Sequence, residues 1–149
     1  MTTEEQRMRT PDRAAVEAAA DAIIDAFAAT DGDRYFAGFS PDATFIFHTE
    51  PERLADRSAY ERIWAGWVES GWRVISCTSS EGLAQTFPGG AVFTHTVDTT
   101  VDTGDGTESY RERETIVFRV GGADDASDSR LTAIHEHLSP LPASADTPA

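Results

Sequence analysis

The chain of 149 residues has little of several things, and each shortage narrows what it is. A single cysteine, Cys77, excludes an internal disulfide and any cysteine-rich metal cluster. No apolar run approaches the roughly 18 residues needed to span a bilayer. The first six residues are polar and acidic, without the basic start and apolar middle of a signal peptide. Basic residues are also scarce: 12 against 26 acidic ones, for a net charge of −14. That field repels nucleic acid and anionic membranes alike, so neither is an expected partner. Together these shortages point to a cytoplasmic protein with a solvated acidic surface.

What is present is enough for one domain. With 40% hydrophobic residues the chain can bury a core, and the length suits one folding unit, placed at 11–140 between disordered tails at 1–10 and 141–149. Val16, Ala19, Ala20, Ile23, Ile24 and Phe27 recur at helical spacing, after a Thr10-Pro11 start in which Thr10 is the expected N-cap. Asp33 is the expected cap of a short second helix carrying Tyr35, Phe36 and Phe39, followed by a turn at Ser40-Pro41-Asp42. Residues 43–49 read as a strand. Ser58 with Glu61 reads as a capping box opening a third helix, whose buried face is Tyr60, Ile63, Trp64, Trp67 and Val68. Beyond it the pattern is β only: strands at 72–80, 91–101, 110–120 and 131–139, with a hairpin signal at Thr103-Gly104-Asp105-Gly106 and an acidic loop at 121–128. The order predicts an α+β fold, a cone-shaped, strongly curved antiparallel sheet wrapped around N-terminal helices.

Helix, helix, strand, helix and four long strands resemble the nuclear transport factor 2-like superfamily. The closing segments, residues 112–119 and Ile134-His135-Glu136-His137-Leu138-Ser139, resemble its SnoaL-like branch, related to the association domain of calcium/calmodulin-dependent protein kinase. Glu50-Pro51-Glu52 after the first strand is similar to the same domain. The resemblance implies a cavity with one open mouth and a homodimer formed through the convex sheet face. It also implies that Ile116 and Leu138 face the cavity, where the kinase domain carries arginines, so that a more acidic pocket is expected here. The superfamily holds isomerases, cyclases, dehydratases, hydrolases and non-catalytic modules.

Strand parity then places Glu112, Glu114, Ile116, Ile134, Glu136 and Leu138 toward the cavity, and His135 and His137 on the outer face. His48 ends the strand that pairs with the last one and is expected near Glu136, as a His–carboxylate acid/base unit. Glu114 and Glu136 form a second candidate unit, two carboxyls that would raise each other's pKa unless they pair with Arg111, Arg113 or Arg130. The catalytic candidates are His48, Glu114 and Glu136. The substrate-binding candidates are Tyr60, Trp64, Thr94, Glu112, Ile116 and Leu138. His135-x-His137 has no nearby third ligand and is not read as a metal site. The expected function is binding of a small hydrophobic ligand, with cofactor-independent acid/base chemistry on a cyclic substrate; the alternative is a non-catalytic binding or oligomerisation domain.

Overall fold

The structure is a computed structural model that describes residues 9–121 and 130–142. The expected tails lie mostly outside those residues, as does most of the acidic loop. At the edges of the described segments, the Arg9 carbonyl accepts from the Gly89 amide, and the Leu141 amide donates to the Arg111 carbonyl.

Helix α1 (Arg13–Ala28) buries Val16, Ala20, Ile23, Ile24 and Ala26. It starts later than expected: Asp12, not Thr10, is its N-cap, and the Asp12 side chain makes no capping bond. Helix α2 (Gly32–Ala37) is capped by Asp31, whose carboxylate accepts from the Arg34 amide, in place of Asp33. Helix α3 (Arg57–Glu69) is capped by Asp56, which accepts from Ala59, and Glu61 turns to Arg57 instead of closing a capping box with Ser58. At α2 and α3 an aspartate two residues before the expected cap takes the free amide, because several polar residues compete for one set of free amides. Val68 on α3 is exposed rather than buried.

The strands are β1 (Phe39–Phe47), β2 (Arg73–Phe87), β3 (Gly90–Asp102), β4 (Thr107–Val120) and β5 (Leu131–Pro140). They form one sheet in the order β1-β5-β4-β3-β2. The expected antiparallel sheet is in fact mixed, since β1 runs parallel to β5. Ser40-Pro41-Asp42 lies inside β1, where it breaks the register with β5, rather than forming a free turn. β2 continues past Ser80 through an irregularity at Glu81-Gly82, with Glu81 at φ 56°. A further bulge sits at Ile134. Such bulges add twist and bend a sheet, and this one curls around α1 without closing.

The core between sheet and helices is aromatic. Tyr35 stacks on Trp64 with centroids 5.1 Å apart, and Phe45 packs against Tyr60 at 4.8 Å. Aromatic rings cover large areas with few rotatable bonds, so this layer stiffens the wall on which the polar groups sit.

Candidate functional site

Between α1, α3 and the inner face of the sheet lies a cavity of about 390 Å³. Apolar walls come from Ile23, Phe27, Trp67, Trp72, Val97 and Val101. Carboxyl groups come from Glu50, Glu108, Glu112, Glu114 and Glu136, and none of the described residues lining the cavity is an arginine or lysine. The volume falls at the smaller end of ligand pockets, which run from about 300 to 1,000 Å³.

Glu112, Glu114 and Glu136 project inward because β4 and β5 alternate faces and both have their inner face on the cavity side. Glu136 is 1% exposed. The Tyr35 hydroxyl donates to its carboxyl at 3.0 Å, and Tyr35 also bonds Tyr60 at 3.1 Å between hydroxyl oxygens. Glu136 and Glu114 hydrogen-bond each other. Burial, then the neighbouring Glu114, pushes the Glu136 carboxyl well above the usual carboxylate range. Burial pushes Glu114 up to about 7. Glu136 is thus driven toward its neutral form and is the side of the pair that donates to Glu114. Both tyrosines are also pushed well above their ordinary value, first by burial, so their hydroxyls stay protonated donors.

His48 stands at the rim. Its Nε2 lies 2.5 Å from Glu112 Oε2. The expected partner was Glu136, and the parallel register explains the difference. Phe45 pairs with Glu136 and Phe47 with Leu138, so His48 lies three residues further along, roughly 10 Å at strand rise. At that level the neighbour is Glu112, which pairs with Pro140.

Of the side chains nominated from the sequence, His48, Glu112, Glu114, Glu136, Tyr60 and Leu138 line the cavity. The other substrate-binding candidates do not. Thr94 lies on the outer face, opposite Leu83, because its neighbours Phe93 and His95 take the inner positions. Ile116 is fully buried in the core beneath the cavity. Trp64 is used up in packing against Phe27, Tyr35, Phe36 and Trp72. Ile134 leaves the inner face because the bulge there brings Ala133 into the core instead. His135 bonds Thr44 at 2.8 Å and His137 is exposed, both off the inner face. Arg111 reaches Asp98 and not the buried carboxyls.

Sequence reasoning passed over Tyr35 as a functional group and His95 as a partner of Glu114. The His95 ring is fully buried, with Nε2 2.6 Å from Glu114 Oε1 and Nδ1 2.6 Å from Ser79 Oγ. Burial lowers its pKa to about 4, so the ring is neutral. The signal for His95 was available: the hairpin at Thr103–Gly106 sets Asp102 opposite Thr107, and counting back seven pairs puts His95 opposite Glu114. Tyr35 had no such signal, being 101 residues from Glu136.

The SnoaL-like domain family matches residues 16–144, nearly the whole chain. The chain belongs to the SnoaL-like domain family. No curated protein matches it. Among solved structures, a nuclear transport factor 2-like protein from Cytophaga hutchinsonii superposes with a TM-score of 0.72 at 11% identity, covering 88% of this chain and 99% of that one. A ketosteroid isomerase-like protein from Erwinia carotovora atroseptica gives 0.70 at 16% identity, covering 87% and 95%. The calcium/calmodulin-dependent kinase II hub of S. rosetta gives 0.66 at 20%, covering 86% and 95%. At these identities the likeness is one of fold. This SnoaL-like chain differs from the arginine-bearing pocket expected of the kinase domain: its own cavity is acidic. No helix of the described residues is long and apolar enough to cross a membrane.

Proposed function

We propose that this SnoaL-like protein is a cofactor-independent acid/base enzyme that moves a proton on a neutral, apolar, cyclic carbonyl compound. The observation that carries this reading is the separation of two kinds of proton group within one cavity. At the rim His48 is held by Glu112 at 2.5 Å, and on the floor the Glu136 carboxyl, pushed toward its neutral form by burial, accepts from Tyr35. Two proton-transfer groups at opposite ends of one cavity can serve as base and acid on a single substrate. In this reading His48 Nε2 or the Glu112 carboxylate takes a proton from carbon next to the carbonyl. The electron pair moves onto the carbonyl oxygen, which receives the Glu136 O–H. Return of the proton to a different carbon gives isomerisation, and loss of a neighbouring leaving group gives elimination. The carboxyl-rich lining disfavours anionic substrates by like-charge repulsion.

A second reading has its own support. Among the described residues no buried side-chain polar atom lacks a hydrogen-bond partner. A pocket whose polar groups already satisfy one another suits binding without chemistry. Deuterium exchange at the α-carbon of 2-tetralone and 2-cyclohexenone separates the two. The enzymatic reading expects exchange above the buffer rate that His48→Ala abolishes. Binding of the ketones without exchange supports the second reading and removes the first. We also place a homodimer contact on the outer sheet face, where Leu83 is 50% exposed, and a cytoplasmic setting for both.

A further inference from the structure

The buried carboxyls have a second set of hydrogen-bonded neighbours that does not line the cavity. His95 lines no part of the cavity. Its ring is enclosed, yet both nitrogens are engaged, one by Glu114 and the other by Ser79, which lies on an exposed stretch of β2. The bonds run from Ser79 through His95 to Glu114, on to Glu136, and from there to Tyr35 and Tyr60. The two outer links are short, 2.6 Å each. β2 is shaped for this arrangement. Its irregularity between Ser80 and Leu83 lies over the Phe93–His95 pair, whose rings are 4.8 Å apart. A side chain at Gly82 would meet the Phe93 ring at 2.9 Å.

We infer that Ser79 and His95 form a proton relay that connects the Glu114–Glu136 pair to solvent behind the cavity, so that the acid can be reset while a ligand fills the mouth. The inference rests on the acid role assigned above to that pair. The relay has two polarities. In one, protonated Glu114 donates to His95 Nε2, the Nδ1–H donates to Ser79 Oγ, and the serine hydroxyl faces water. Shifting each proton along its bond puts one proton into water. It leaves a Glu114 carboxylate accepting from Nε2–H, and a serine hydroxyl donating to Nδ1. A proton entering from water at Ser79 restores the first state. Every group is hydrogen-bonded in both states, and the imidazole begins and ends neutral. Neutrality suits its surroundings: burial opposes a charge on the ring, while Glu136 on β5 and Asp21 on α1 favour one but do not overcome burial. A histidine that acts through Glu114 in this way is a positioning residue, distinct from His48 at the rim.

The test closes the mouth and asks whether the back door stays open. Cys77 is the chain's one cysteine and lines the cavity, so labelling it with benzyl methanethiosulfonate fills the space with an apolar ring. The carboxylic-acid infrared band is then followed on dilution into D2O at pH 7. In labelled wild-type protein the band shifts as fast as in unlabelled protein. In labelled His95→Gln, whose amide can still bond Glu114 but places no proton-carrying atom at the Nδ1 position against Ser79, the shift slows at least tenfold. Labelled Ser79→Ala, a change on an exposed stretch of strand, slows likewise, which covers the case in which His95→Gln fails to fold. Imidazole restores the rate in labelled His95→Ala, whereas pyrrole, of the same shape without an acceptor nitrogen, does not. Equal rates in labelled wild type, His95→Gln and Ser79→Ala overturn the relay. Absence of a carboxylic-acid band at pH 7 overturns both the relay and the acid role. A protein that exchanges its own acid proton by this route but fails to exchange ketone protons keeps the relay and loses only the enzymatic reading.

Discussion

Glu114 on β4 and Glu136 on β5 share a hydrogen bond inside the protein, set diagonally because Glu136 pairs with Ile116 and Glu114 with Leu138. Two carboxyls so placed cannot both be ionised without a large electrostatic cost, so one keeps its proton. The consequence is a pH-dependent stability. Both folded-state pKa values are raised, so the folded protein holds protons that the unfolded chain releases above about pH 4.5. Their stabilising contribution is complete below that pH and is lost as pH rises through about 7 and beyond. His95 has the opposite sign. Its pKa is lowered to about 4, so its contribution is complete above the ordinary 6.5 and is lost as pH falls toward 4. Glu136→Gln mimics the protonated form permanently. Thermal unfolding should show the variant matching wild type near pH 4.5 and melting higher at pH 8. The gap should widen by about 1.4 kcal/mol per pH unit while the folded wild type keeps a proton the unfolded chain has lost. At this chain length each kcal/mol moves the midpoint by about 2–4 °C.

His48 is the group whose loss should separate chemistry from stability. Its side chain is 32% exposed and its one recorded bond is to Glu112. His48→Ala should lower proton-transfer turnover by about 10²–10⁴, while urea unfolding changes by less than about 1 kcal/mol, as for other partly exposed pairs. Glu112→Gln should fall between wild type and His48→Ala in turnover, because the amide can still hold the ring in place but cannot itself take a proton.

Removing the Tyr35 hydroxyl should act in the opposite sense. Tyr35→Phe keeps the ring that stacks on Trp64 and deletes the donor to Glu136, leaving two buried oxygens short of a partner. Urea unfolding should show a loss of about 1–3 kcal/mol. Tyr60→Phe should cost less, since among its recorded bonds the Tyr60 hydroxyl has only the one to Tyr35.

The cavity mouth depends on a close backbone contact. Gly104, at φ 92° in the β3–β4 turn, sits against the end of α3, and a Cβ there would lie 2.6 Å from the Ser70 carbonyl oxygen. Neither the conformation nor the space admits a side chain. Gly104→Ala should destabilise by about 1–3 kcal/mol and displace Thr103 at the rim, detected as faster quenching of Trp67 and Trp72 fluorescence by acrylamide.

The sequence showed the elements more clearly than their joints. Stripes such as Val16, Ala20 and Ile23 mark a helix because burial repeats with the helical period, and alternation along residues 112–118 marks a strand for the same reason. Helix caps were displaced to Asp12, Asp31 and Asp56 because adjacent polar residues are chemically near-equivalent until tertiary packing selects one. The bulge at Ile134 defeated simple parity, since one extra residue reverses the face of everything before it. In the site, parity together with the family resemblance, which said which face is inward, placed Glu112, Glu114 and Glu136 in the cavity. Pairing His48 correctly needed the parallel register, and Tyr35 required three-dimensional contact between α2 and β5 that no local pattern encodes.

The most direct test of the central claim is a pH titration of the glutamate side-chain carboxyl carbons by NMR, with the Glu136 resonance assigned through Glu136→Gln. The account predicts that Glu136 remains protonated at pH 7 while Glu114 titrates close to that pH. If both carboxyls instead ionise in the ordinary range near 4.5, the cavity holds no neutral acid, and the proposed separation of acid and base is wrong.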